Sequence, residues 1–288
     1  MEKKSMKGYI YLMPALIIIL LFTAYPLVRA FLMSFYEDYN MISGEYSRIG
    51  LGNYRDLFGD KVFIKALRNT SIYVIFVVPC SIALSLLIAV LLNSNIKFQG
   101  LFQTIYFLPY VTSVIAIGLV WSWIFNSNYG LLNYILSWFG IEKVQWLNKP
   151  KYALPSLIIF SVWKSMAFDI LIFLAGLQTI SKDLYNAARV DSTPRWRVFW
   201  KITVPGIAPM ISYAFIMGFI SAFKVYNEVF SLFGGKAGPA NSAVTVVYYI
   251  YDKFYNSYNY GLASAAAVIL FLIILVLTVV QRIVGRRK

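Results

Sequence analysis

The chain has 288 residues, of which 60% are apolar or aromatic and only 13% charged, and its mean hydropathy is +0.68. A soluble domain carries roughly 45–50% apolar and about 25% charged residues, so this sequence cannot supply a water-facing shell and reads as an integral membrane protein. There is no histidine and one cysteine, Cys80, which excludes intrachain disulfides, His/Cys zinc sites and imidazole catalysis; the formal charge of +14 fits membrane-flanking loops better than nucleic acid, because no Lys/Arg run exceeds Arg286-Arg287-Lys288.

A membrane-crossing helix needs about 20 apolar residues. Segments 9–28, 72–92, 101–125, 202–223 and 254–281 contain no Asp, Glu, Lys or Arg, and a sixth, 152–180, carries Lys164 and Asp169. The sequence therefore predicts an all-α membrane protein forming one domain over 1–288, with six spans at about 9–34, 72–93, 101–125, 152–178, 202–224 and 258–281. Runs such as LIIILLF do not alternate, which excludes an outer-membrane barrel. The first apolar stretch is longer than a signal-peptide core of roughly 7–15 residues, so it is expected to remain as a helix. Lys3, Lys4 and Lys7, the loop cations Lys182, Arg189, Arg195, Arg197 and Lys201, and the C-terminal Arg282 to Lys288 place both termini in the cytoplasm.

Between the first two spans, SRIGLGNYRDLFGD (47–60) and then KVFIKALRN suit a small surface helix. Segment 130–141 sets Leu131, Leu132, Ile135, Leu136 and Phe139 on one helical face, with Trp138 and Trp146 as anchors at headgroup depth.

The loop ISKDLYNAARVDSTPRWRVFWKITVPGIAP (180–209) is the most patterned part of the chain. Ser181 caps a short helix and Asp183 lies in its first turn, where the helix dipole favours an anion. Thr193-Pro194 opens a second helix, and Pro205 and Pro209 kink the entry to the fifth span. Two short helices joined at Asp191-Ser192 thus present Ala187, Ala188 and a basic rim. From the residues alone, docking onto a partner and resting on anionic lipid are both open.

This loop resembles the EAA loop of binding-protein-dependent ABC importer permeases. The usual pattern is Glu-Ala-Ala, three positions, Asp-Gly, and later Ile/Leu-x-x-Pro. The chain matches it at Ala187, Ala188, Asp191, Ile202 and Pro205, and departs at Asn186 and Ser192, where the family usually has Glu and Gly. FLPYVTS (107–113), LAGLQTISKDLYNAA (174–188) and GGKAGPANSAVTVVYYIYDKFY (234–255) resemble the carbohydrate-uptake branch, the maltose- and multiple-sugar-type permeases. The resemblance implies a permease without enzymatic activity in the bacterial cell membrane. It implies pairing with a homologous second permease, coupling to cytoplasmic ATPase subunits, and delivery of sugar by an extracellular solute-binding protein. Leu184, Asn186, Ala187, Ala188, Asp191 and Ser192 are then the coupling residues, with Asn186 unable to supply the usual carboxylate. The chain has no Gly-x-x-x-x-Gly-Lys-Ser/Thr motif, so ATP and magnesium belong to the partner ATPase and no cofactor is expected here.

Charges within spans are costly and mark functional candidates. Lys164 and Asp169 are five residues apart, about 140° round a helix, and need not pair. In SAFKVYNEVF (221–230), Lys224 and Glu228 are spaced to pair at i, i+4, while Tyr226 and Asn227 offer a ring and an amide of the kind that meets sugars. Asp169, Lys224, Tyr226, Asn227, Glu228 and Tyr249 are therefore the candidate substrate path. A glycerol-3-phosphate permease of the same branch, or a stand-alone secondary carrier, is the alternative; the latter has few charges from which to build a coupling-ion site.

Overall fold

The computed structural model describes residues 6–94 and 97–285; the terminal cations Lys3, Lys4, Arg286, Arg287 and Lys288 lie outside them. Helix α1 (Tyr11–Met33) carries no charge before Arg29 and contains a π turn at Leu20–Ala24. Pro26 accounts for the turn, since it has no N–H for the Phe22 carbonyl. An antiparallel pair of two-residue strands follows, β1 (Tyr36–Glu37) and β2 (Arg48–Ile49), then α2 (Gly52–Gly59) and α3 (Lys61–Leu92). The chain continues through α4 (Gln99–Val111), α5 (Val114–Ile124), α6 (Leu131–Ser137) and α7 (Pro150–Thr179). Next come α8 (Lys182–Val190), α9 (Arg195–Gly206), α10 (Ala208–Phe223) and α11 (Asn227–Leu232). Helices α12 (Val246–Tyr251) and α13 (Tyr260–Gly285) complete it.

Among the described residues, α1, α3, α7 and α13 are long and apolar enough to cross a bilayer, and the number rises to six if each of two bent pairs is one span. The segment expected as a third straight span is bent by 104° between α4 and α5. Thr112 there is extended (φ −85°, ψ 147°), so the helical bonding stops and restarts at Val114. The segment expected as the fifth is bent by 68° between α9 and α10. Pro209 cannot donate to the Pro205 carbonyl, and Pro205 cannot donate to Lys201, whose turn has become π-helical over Phe199–Thr203. KVFIKALRN is not a separate surface helix but the first turns of α3, capped by Asp60 through its Oδ1 on the Val62 N–H at 2.7 Å.

The chain divides into two compact units. The first comprises residues up to Phe63 together with Tyr249–Ile273. Within it the Asn53 amide, nearly buried, donates to the carbonyls of Ser34 and Tyr36. A side chain at Gly261 would strike both Asn53 and the Tyr36 carbonyl, so the second residue of α13 is a glycine where the backbones approach. The Glu37 carboxylate receives Arg48 Nε at 2.5 Å and the Gly52 N–H at 2.8 Å, and these bonds hold its pKa below the usual range.

The second unit comprises Ile64–Tyr248 and the end of the chain. Its core joins Ala89 and Leu92 of α3, Ile170, Phe173, Leu174 and Leu177 of α7, and Ile207 and Ala214 at α10. Helix α11 lies against α5 so closely that a side chain at Gly118 would strike Ser231. Small residues permit such contacts where apolar helices have little hydrophobic drive to associate. Trp146, expected as a plain membrane-interface anchor, is half-buried; its Nε1 donates to Asn133 at 3.0 Å and its ring packs on Phe125. Trp138 is exposed.

Candidate functional site

The patterned loop forms two short helices. Ser181 Oγ accepts the Asp183 N–H at 3.2 Å at the start of α8, with Asp183 in the first turn and Arg189 in the last, the arrangement the helix dipole favours. At the far end, Thr193 N–H bonds the Ala188 carbonyl at 2.9 Å and Ser192 N–H bonds that of Arg189 at 3.1 Å. This is a Schellman closure, and it puts Ser192 at φ +51°, the left-handed position where glycine is usual. The departure from Gly noted in the sequence therefore falls on the one residue of the loop with a conformational reason to be glycine.

The two alanines separate. Ala187 is exposed, whereas Ala188 is buried beneath the turn. The outward surface of α8 thus carries Leu184 and Val190, 52% and 85% exposed, with Ala187 between them and Asn186, Asp191 and Ser192 at its margin. Tyr185 Oη lies 3.2 Å from Thr203 Oγ1, tying α8 to the π turn of α9 and so to the foot of α10. Behind α8 is a half-open cavity of about 950 Å³ whose lining includes Asn93, Leu177, Asn186, Arg189, Arg195 and Phe199.

The second candidate region is the break between α10 and α11. The structure brings Lys224, Tyr226, Asn227 and Glu228 together there, but not as the expected pair: Glu228 Oε1 takes Lys164 Nζ of α7 at 2.5 Å, with both side chains half-buried. Lys224 and Asn227 are exposed. Tyr226 is half-buried near Phe230 and Tyr248. Asp169 is elsewhere on α7, buried beside Ser81 of α3. Tyr249 belongs to the first unit, is 1% exposed, and donates to Asp60 Oδ2 at 2.8 Å under Lys253. Burial opposes ionisation of Asp60, but the bonds from Tyr249, the Val62 N–H and Lys253 outweigh it and lower its pKa.

Sequence reasoning missed the residues that hold the loop after α11. Lys65 Nζ donates to the Ala240 carbonyl, the Asn69 amide to those of Ser242 and Val244, and Thr70 Oγ1 accepts the Val246 N–H, all within 2.8–3.0 Å. These three positions, at i, i+4 and i+5 of α3, form a polar stripe that was readable as a helix face; the carbonyls it serves were not. The same loop turns through Gly234, Gly235 and Gly238, all at positive φ, so the GGKAG stretch is a backbone device.

A family model for the inner membrane component of binding-protein-dependent transport systems matches residues 81–288, and the chain belongs to that family. It is 32% identical over 290 residues to the lactose transport system permease protein LacF of Rhizobium radiobacter, covering 99% of this chain and 95% of that one. It is also 32% identical over 284 residues to the trehalose/maltose transport system permease protein MalF of Thermococcus litoralis, with coverage of 99% and 95%. The fold is similar to a chain of the crystal structure of a bacterial alginate ABC transporter in complex with an alginate pentasaccharide-bound periplasmic protein, at TM-score 0.83 and 27% identity over 99% of this chain and 96% of that one. The chain is a membrane-embedded transport protein, not an enzyme.

Proposed function

We propose that this chain is one of two permease subunits of an ATP-driven importer of di- or oligosaccharides. An extracellular solute-binding protein delivers the sugar, a homologous permease completes the path, and cytoplasmic ATPase subunits bind ATP and magnesium; this chain holds no cofactor. Each bent pair counts as one crossing, which gives six spans with both termini and α8 in the cytoplasm. The family supports the class, and the sugars in the names of its relatives support the substrate.

The observation that carries the coupling role is the outward surface of α8. Leu184 and Val190 are large apolar side chains left in the open on a helix that is capped at both ends and anchored through Tyr185 to the π turn of α9. A helix so held transmits displacement to the span. Leu184, Asn186, Ala187 and Asp191 meet the ATPase, while Ala188 and Ser192 shape the loop. Lys224, Tyr226 and Asn227 line the sugar path, with Glu228 positioned by Lys164 and Asp169 deeper in the bundle.

Ala187→Trp tests this. The variant is expected to reach the membrane at the normal level but to lose ATPase co-purification and sugar uptake. Ala188→Trp, by contrast, is expected to lower the folded amount, because Ala188 is buried and a large ring there would press on the neighbouring turn. Normal uptake and normal ATPase retention in Ala187→Trp would remove α8 as the docking element.

A further inference from the structure

The helix after the coupling loop has two unlike sides. Val198, Phe199, Ile202 and Thr203 of α9 turn inward. Trp196 and Trp200, one turn apart, are 64% and 62% exposed, and Arg197 and Lys201 are exposed beside them. Arg197 lies over the Trp196 ring, its guanidinium carbon 5.6 Å from the centroid. Exposed paired tryptophans interleaved with cations are costly in water and are the composition of a membrane–water boundary.

Geometry puts the helix at that boundary. Helix α10 has 16 residues, and at 1.5 Å each these span about 24 Å, short of the ~30 Å hydrocarbon thickness. Helix α9 is inclined at 68° to it, so each of its residues gains only about 0.6 Å along the α10 axis. Its whole length rises by about 7 Å. The deficit of α10 and the rise of α9 match, which leaves α9 lying along the edge of the hydrocarbon rather than projecting from it.

We infer that α9 is a lipid-headgroup anchor: Trp196 and Trp200 seat in the acyl–headgroup boundary, and Arg197 and Lys201 bind the phosphates of anionic lipids. The partner is the bilayer surface, selected over an acidic protein by the rings, by the incline and by direct continuity with a span. The anchor fixes the depth at which α10 begins, so that motion of α8 turns α10 instead of sliding it. This goes beyond the proposed transport role and does not depend on which sugar is carried.

The test uses the assembled transporter in nanodiscs of phosphatidylethanolamine with phosphatidylglycerol. Spin labels are placed by Trp196→Cys, Trp200→Cys and, as a reference in an exposed turn, Ser43→Cys, each in a Cys80→Ser background. Labels at 196 and 200 are expected to be relaxed several-fold more by oxygen, relative to a water-soluble nickel complex, than the label at 43. Arg197→Gln with Lys201→Gln is expected to reduce the enrichment of spin-labelled phosphatidylglycerol around the protein several-fold. If the labelled variants do not assemble, brominated phosphatidylglycerol serves instead: it should quench the native tryptophans measurably more than those of Trp196→Phe, Trp200→Phe. Preferential relaxation by nickel at 196 and 200, or equal quenching of the two proteins, overturns the inference. Labels shielded from both agents until the ATPase is stripped away would also overturn it, and would make α9 a protein-binding surface.

Discussion

The α8 loop and the break between α10 and α11 are both short polar interruptions of an apolar chain, but they are held in opposite ways. The loop is closed almost entirely by its neighbours in sequence: Ser181 onto Asp183, Thr193 onto Ala188, and Ser192 onto Arg189. The break is closed from a distance. Glu228 takes Lys164 from 64 residues earlier, and the Val225 carbonyl accepts Thr245 Oγ1 at 2.9 Å from 20 residues later. A locally closed element can move as one body without losing its shape, which suits a part that transmits force. A distantly closed one is rigid only while the helices around it stay together, which suits a part whose surroundings rearrange.

The sharpest way to break this contrast is to remove one partner of the distant pair. Lys164→Met leaves the Glu228 carboxylate half-buried without a counter-ion, and the loss is expected to be roughly 2–3 kcal/mol, below the ~3–5 kcal/mol typical of a fully buried pair because both groups keep some water. The thermal midpoint in nanodiscs should fall, and sugar uptake with it. Lys164→Met with Glu228→Gln should recover most of the midpoint. A single variant as stable as wild type would mean the break is held by packing alone.

This contrast also explains what was legible in the sequence. The capped helix at Ser181 and the kinks at Pro205 and Pro209 could be read directly, because each depends on residues within a turn or two. The spans at α3, α7 and α13 could be read from apolar length. The partner of Glu228 could not: Lys224 satisfied the local i, i+4 rule, and nothing in a one-dimensional pattern weighs it against a lysine on another helix. Tyr249 was taken for a path residue on type alone, whereas its hydroxyl is committed to Asp60, 189 positions away. The 104° turn at Thr112–Ser113 was missed because no charge interrupts segment 101–125; Pro109 and the Thr112-Ser113 pair were its local signal.

An intermediate effect is expected in the first unit, where Asp60, Tyr249 and Lys253 join the start of α3 to the end of α12 and the turn after it. Tyr249→Phe removes a hydrogen bond to a charged acceptor, of about 1.5–3 kcal/mol, while keeping the ring on Phe63. The pH dependence has a definite sign. The lowered pKa of Asp60 means its contribution is complete above about pH 4, the ordinary range for aspartate, and is lost as pH falls through the lowered value. The thermal midpoint of wild type should therefore drop more as the pH is taken below about 4 than that of Asp60→Asn. Parallel curves for the two proteins would show that this carboxylate adds nothing to stability.

The smallest effect belongs to the locally closed loop, and it runs the other way. Ser192 sits at φ +51°, where a Cβ crowds the following carbonyl at roughly 1 kcal/mol and glycine has no such penalty. The side chain is exposed and makes no packing contribution that its removal would forfeit. Glycine also loses more backbone freedom on folding, which takes back part of the gain. Ser192→Gly is therefore expected to stabilise the loop by about 0.5 kcal/mol. The readout is slower amide exchange at Asp191–Thr193 by about twofold, with uptake and ATPase retention unchanged. Faster exchange in the variant would mean that Ser192 is held by something other than its own turn, and the loop would then have to be counted with the break as a distantly closed element.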